Sequence, residues 1–390
     1  MKGSIRQRSK GSWEICIDIN RDPATGKRLR HFESVKGTKK AAQQRLAELL
    51  VSIEQGSYVK PKRITLGEWL ESWLNGYVAT NCSPKTAQSY RSEVDGHIIP
   101  ALGAVPLTQL QPQHLQNYYA HALSYGRADG RGGLSKRTVL YHHRILFEAL
   151  GYAVRQGIAG RNVAQVVEPP HPDQKEMTTL TPEQVTKFLA CARATSYYEF
   201  FYTLLYTGLR RGEALVLRWH NVDLDMARLF VVETGYKLNG TYIIRQPKTK
   251  KSRREVALTP SLAILLREYK TRKQVERLFL DKPLTEADFV FAHPHGTPLN
   301  PDTVTHAFGK LIRKAGLPHL RLHDLRHSHA TLMFKEGIHP KIVQERLGHS
   351  NIATTLNIYS HVLPGLQEAA AERFDKLLAR ENVGKRLRGR

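Results

Sequence analysis

From Trp13 to Ile19 apolar and polar side chains alternate, with Trp13, Ile15, Ile17 and Ile19 on one side and Glu14, Cys16 and Asp18 on the other. A period of two predicts a strand with one buried face. Residues 21–27 (RDPATGK) read as a turn in which Gly26 can take positive φ, and residues 27–35 as the returning strand. The period then lengthens. Thr38 caps a helix from Lys39 to about Gln55, and Ala42, Leu46, Leu49, Leu50 and Ile53 share one face of it. Such a stripe can pack on the hairpin.

From about Ile64 to Val167 the helical period persists. Leu66, Trp69, Leu70, Trp73 and Leu74 recur at helical spacing. Ser83-Pro84 opens the next helix, Pro112 one that ends near Ser124, and Ser135 a long one reaching about Gln156. Residues 126–133 (GRADGRGG) read as a loop. Residues 168–177 hold Pro169, Pro170 and Pro172, which forbid a helix and favour an extended tether. Thr181 begins a capping box and a helix pair expected to run through Leu217. Short strands are expected at residues 229–233, 242–245 and 255–258, with helices again from Pro260 to Arg380. After Pro364, Leu366, Ala370, Phe374, Leu377 and Leu378 make one more apolar stripe. The class is therefore multidomain, mainly α with small β elements.

Composition narrows the partner. At 41% hydrophobic and 24% charged the chain is an ordinary globular protein, and its 390 residues suggest two to three domains. The net charge of +24 favours a polyanion, nucleic acid before an anionic membrane surface. No apolar run approaches the roughly 20 residues of a spanning helix, and the first residues lack a signal-type apolar core. Cys16, Cys82 and Cys191 stand far apart, so neither a disulfide framework nor a cysteine zinc site is expected. His293-x-His295 and His327-x-His329 lack acidic or cysteine partners at ligand spacing, so no metal and no cofactor are expected.

The chemistry lies in five local patterns of the C-terminal half. TGLRRGE holds Arg210, QPKTKKSRREV holds Lys248, LRLHDLRHSHAT holds His323 and Arg326, ERLGHSNIATT holds His349, and LNIYSHV holds Tyr359. Arginine suits phosphate because its planar fork can hold two oxygens and never loses its charge. Histidine exchanges protons near neutrality, and the i, i+3 spacing of His323 and Arg326 puts both on one helix face. Tyrosine can attack phosphorus once cations and a base help it ionise. Glu213, one turn beyond Arg210, can orient that guanidinium.

In order and context these patterns resemble the tyrosine recombinases, the phage-type integrase family. The resemblance implies a phosphate clamp of Arg210, Arg326 and His349, proton transfer by Lys248 and His323, and attack by Tyr359 to give a 3′-phosphotyrosine, without metal or ATP. It selects Arg210 over Arg211, and Lys248 over Lys250 and Lys251, which become DNA-backbone contacts. Residues 1–60, with 15 basic against six acidic side chains up to Arg63, look like an arm-site DNA-binding domain of three strands and a helix, with Arg28 and Arg30 as contacts. Residues 64–167 look like the helical core-binding domain, where Lys85, Arg91, Lys136, Arg137, His142, His143 and Arg144 are candidate phosphate contacts. Residues 178–390 would be the mixed α+β catalytic domain with its C-terminal helix.

The implied function is integration and excision of a phage or other integrative element through a Holliday junction. The implied partners are double-stranded DNA at core and arm sites, three further copies of the chain, a host DNA-bending protein and an excision factor, in the cytoplasm of a bacterial cell. A type IB-like topoisomerase and a catalytically silent DNA-binding protein remain as rivals.

Overall fold

Ile15 and Ile17, on the apolar side of the first alternating run, are fully buried beneath a helix, and Leu49 of that helix meets them. The computed structural model describes residues 3–21, 28–54, 64–173, 177–246, 252–349, 351–352, 355–356, 371–372 and 374–375. The chain divides into two units between Gln174 and Lys175.

The first unit opens with an antiparallel sheet of β1 (Gly3–Ser9), β2 (Ser12–Arg21) and β3 (Arg28–Lys36), in that order, followed by α1 (Lys39–Glu54). Ile5, opposite Ile15, is the one apolar side chain of β1, so alternation alone does not reveal that strand. The turn expected around Gly26 lies outside the described residues.

Four helical stretches complete the unit. Two contain a π turn: α2 (Leu66–Trp73) continues through Leu74–Val78 into α3 (Ala79–Asn81), and α4 (Pro84–Glu93) through Val94–Ile98 into α5 (Ile99–Leu102). The others are α6 (Pro112–Tyr125) and α7 (Lys136–Arg155). Thr65, Ser83 and Ser135 cap α2, α4 and α7 with side-chain oxygens, as such residues do for orphan helix N–H groups. Trp69 Nε1 donates to the Ala149 carbonyl at 3.0 Å, fastening α2 to α7 inside one apolar core.

The second unit carries α8 (Pro182–Ala192), α9 (Tyr198–Thr207) and the one-turn α10 (Arg211–Ala214). The helix expected to run through Leu217 thus breaks at Gly208, whose φ of 67° ends α9. Strands β4 (Val222–Asp223), β5 (Arg228–Val231) and β8 (Arg254–Ala257) form one sheet in the order β4-β5-β8; β6 (Thr234–Leu238) and β7 (Thr241–Arg245) form a separate hairpin. The strands on either side of Lys248 are not partners of each other. Instead β7 pairs with β6 and β8 with β5, so that segment joins two sheets. After the sheets come α11 (Pro260–Leu278), α12 (Pro301–Lys314), α13 (Asp324–Lys335) and α14 (Pro340–Leu347). Of the stripe after Pro364 only Phe374 is described, and it is exposed.

The architecture is multidomain and mainly helical with small antiparallel sheets. Among the described residues no helix is long and apolar enough to cross a membrane.

Candidate active site

Gly208 carries α9 into a tight break, and the next residues are laid out by it. A Cβ on Gly208 would lie 2.7 Å from both His329 Cδ2 and Leu347 Cδ2, so only glycine fits between α13 and α14 there. Leu209 sinks into the core, and Arg210 becomes the residue ahead of α10, with φ −71° and ψ 148°. Its backbone N–H donates to Glu213 Oε2 and its Nη1 to Glu213 Oε1, both at 2.8 Å. Its Nη2 reaches the Gly348 carbonyl at 3.3 Å. The side chain remains 37% exposed, which leaves the fork open to a ligand. Arg211 turns away instead, donating to Pro301 O and Thr305 Oγ1 on α12.

Arg326 enters from the first turn of α13. It is buried, and donates Nη1 to the Gly208 carbonyl at 2.7 Å and Nη2 to the Leu347 carbonyl. The chain around Gly208 and the end of α14 are therefore fixed by the two arginines that the sequence assigns to the clamp. His323 stands just ahead of α13, its ring 5.0 Å from that of His327 in an edge-to-face pair. Desolvation on its packed side, then His327, Arg326 and Arg210, push it down to about 4, so near neutrality it is an uncharged proton acceptor.

His349 follows Gly348, which ends α14 with φ 67°. Its Nδ1 lies 2.8 Å from Thr355 Oγ1, and Gln344 Nε2 donates to its carbonyl. Burial first, then Arg326 and Arg210, push it down to about 3. In the tautomer where the Thr355 hydroxyl donates to Nδ1, the ring proton sits on Nε2, ready to be donated.

Glu213 is nearly fully buried. Burial alone would raise its pKa, but Arg254, Arg210 and Arg326 overcome this and hold it down to about 2. Arg254, absent from the sequence reading, grips it with Nη2–Oε2 at 2.9 Å and Nη1–Oε1 at 3.2 Å. Arg346, also not anticipated, donates to the carbonyls of Tyr206 and Ala257 and to His329 Nε2. A signal for Arg254 existed: it lies at a period of two from the buried Val256 and Leu258, on the inward side of its strand.

The site thus brings together Arg210, Glu213, His323, Arg326 and His349. Lys248, Lys250, Lys251 and Tyr359 lie outside the described residues. Among the described residues no group of three or more His, Cys, Asp or Glu side chains could hold a metal. His329 is instead bonded to Arg346.

The candidate DNA contacts of the first unit differ in what they offer. Lys85, Arg91, Lys136 and Arg137 are exposed. Arg91 binds Asn75 Oδ1, and Lys136 pairs with Asp173. Arg30 is exposed and pairs with Asp18 at 3.0 Å; the Arg28 side chain is not among those described. His142 is a correction. It is fully buried, between Tyr118 OH at 2.8 Å and Glu93 Oε2 at 2.9 Å, so phosphate cannot reach it.

Comparison with known proteins agrees with this layout. The phage integrase family matches residues 178–365, and the phage integrase N-terminal SAM-like domain matches residues 65–123. A tyrosine recombinase XerC-like protein of Caldanaerobacter subterraneus is 29% identical, over 96% of this chain and 99% of its own. The Tn1549 transposon integrase, solved in complex with a circular intermediate DNA, has a TM-score of 0.66 at 22% identity, covering 80% of this chain and 99% of that one. A lambda integrase tetramer bound to a Holliday junction has a TM-score of 0.54 at 20% identity, covering 89% and 95%. The chain belongs to the phage integrase family of tyrosine recombinases, enzymes that cleave and rejoin DNA.

Proposed function

We propose that this protein is the integrase of a phage or other integrative element, and that Tyr359 is its nucleophile. The observation that carries the reading is the convergence of Arg210, Arg326 and His349 on one turn, with Arg210 still open to a ligand. Such a constellation suits a phosphodiester, whose nonbridging oxygens gain charge as a fifth oxygen approaches phosphorus.

His323, uncharged near neutrality, takes the phenolic proton. The Tyr359 oxygen attacks phosphorus, and the bond to the 5′-oxygen breaks. Lys248 hands its proton to that oxygen, leaving a 3′-phosphotyrosine and a free 5′-hydroxyl. A 5′-hydroxyl from a second duplex then reverses the path, so two rounds of exchange pass through a Holliday junction. Four copies acting on double-stranded DNA would supply the four tyrosines. In the same reading the exposed Lys85, Arg91, Lys136 and Arg137 hold the core-site backbone, as do Lys250 and Lys251. The sheet of residues 1–60, with Arg28 and Arg30, takes arm sites. A host DNA-bending protein and an excision factor would set the direction, in the bacterial cytoplasm.

A nicked suicide duplex carrying the element's attachment site tests this. Wild type is expected to form a covalent complex at the 3′ side of the cut, and Tyr359→Phe to form none. An adduct with Tyr359→Phe would sink the assignment. Plasmid relaxation without strand-transfer products would favour a topoisomerase.

A further inference from the structure

We propose that Arg254 is a positioning residue for DNA cleavage: through Glu213 it sets the charge and orientation of Arg210, and it holds the turn that carries His349. The proposal rests on Arg210 being part of the phosphate clamp.

Arg254 cannot itself serve as a clamp. Nε donates to the Arg346 carbonyl at 2.7 Å, Nη1 to Glu213 Oε1 and the Ser252 carbonyl, and Nη2 to Glu213 Oε2. These bonds occupy four of the five N–H donors a guanidinium carries, so no fork is left for a phosphate.

What Arg254 does is share a carboxylate. Glu213 Oε1 accepts from Nη1 of both Arg210 and Arg254, and Oε2 accepts from the Arg210 backbone N–H and from Arg254 Nη2. Arg210 and Glu213 alone would be a neutral pair, with the cation's field turned inward. Adding Arg254 gives the group a net charge of +1, and the exposed member, Arg210, presents it. The effect is strong here because the carboxylate is buried and poorly screened.

The same guanidinium supports the other side of the clamp. A Cβ on Gly348 would come within 3.0 Å of both Arg254 Cδ and Nη1, so the turn before His349 packs directly on the Arg254 side chain. The Nε bond to the Arg346 carbonyl fixes that turn from below. One side chain therefore supports both Arg210 and His349 without touching the substrate.

The test uses the full chain on the nicked suicide duplex, reading the single-turnover rate of adduct formation at saturating DNA and, separately, the Kd. Arg254→Met is expected to lower the rate roughly 10- to 100-fold, with Kd changed less than about 3-fold. Arg254→Lys, which keeps the charge but not the fork, is expected to fall between. The decisive variant is Glu213→Gln with Arg254→Met. It restores a net positive charge at Arg210, and is expected to cleave at least about 5-fold faster than Arg254→Met alone. A purely structural role for Arg254 gives no such rescue. A double variant no faster than the single one, or Arg254→Met at the wild-type rate, overturns the proposal. Should Arg254→Met not fold, Arg254→Lys decides: a drop in rate at unchanged Kd supports the proposal and a wild-type rate overturns it. Wild type forming no adduct would fail the reading beneath; wild-type rates in the variants would fail only this inference.

Discussion

Arg326 donates Nη1–H to the Gly208 carbonyl at 2.7 Å, so two segments 118 positions apart in sequence meet in a single hydrogen bond. The bond explains why the glycine and the arginine occur in separate local patterns yet act on one place. Gly208 lets the chain turn so that its carbonyl faces α13, and Arg326 then ties the start of the Arg210 segment to the end of α14 through Leu347.

Gly208→Ala should therefore damage folding and cleavage together. Its φ of +67° costs an alanine about 1 kcal/mol. The new methyl would also press on His329 and Leu347, both buried, at 2.7 Å. A total loss of roughly 2–4 kcal/mol is expected. Gly240→Ala is the control, since φ there is +82° but nothing lies within 4 Å of the added carbon. Thermal unfolding should show a clearly larger drop in Tm at position 208; equal drops would remove the packing account.

Acid should destabilise the second unit through its histidines. His329 is pushed down to about 3, by burial first and then by Arg346, and His349 to about the same value. Above the unfolded value of about 6.5 neither state binds the proton. Below it the unfolded chain binds one and the native chain does not, so stability is lost as pH falls from about 6.5 towards 3. At pH 5 the buried His329 costs on the order of 2 kcal/mol, and the partly exposed His349, screened by solvent, costs less. Glu213, held down to about 2, acts in the same direction, but only below about 4.5. Tm should therefore fall between pH 7.5 and pH 5. His329→Gln can still accept from Arg346 and should show a shallower fall. An unchanged slope in that variant would mean His329 is not the group responsible.

Much of this was legible in the chain because the sequence periods and caps are local. Ser83, Ser135 and Thr181 sit where they cap helices, and Ile15 and Ile17 point inward as their alternation requires. What escaped depends on contacts distant in sequence. β1 has too few apolar residues to alternate, and becomes a strand by pairing with β2. β6 escaped because only Tyr236 and Leu238 of its five residues are apolar, too few to set a period. The pairing partners of β7 and β8 are likewise set by the fold, not by neighbours along the chain. Arg254 was passed over although Val256 and Leu258 mark its side of the strand as inward, because a buried arginine makes sense only once Glu213 is known to lie opposite. His142 was misread for the opposite reason. Its neighbours Lys136, Arg137 and Arg144 are exposed and basic, while its own face of α7 holds Val139, Ile145 and Leu146 in the core.

That distinction on α7 can be measured. His142 bridges Tyr118 and Glu93 in the interior. His142→Ala removes both bonds and leaves a void, at an expected cost of roughly 2–4 kcal/mol. It should lower Tm while leaving the salt dependence of DNA affinity unchanged. Arg137, five residues earlier and exposed, should behave in the reverse way. If it neutralises one phosphate, Arg137→Ala leaves Tm within error and reduces the slope of log Kobs against log salt by about 0.9. The pair is informative because the two effects separate folding from contact on one helix. A reduced slope for His142→Ala at unchanged Tm would mean that the imidazole leaves its buried site to meet the backbone of DNA.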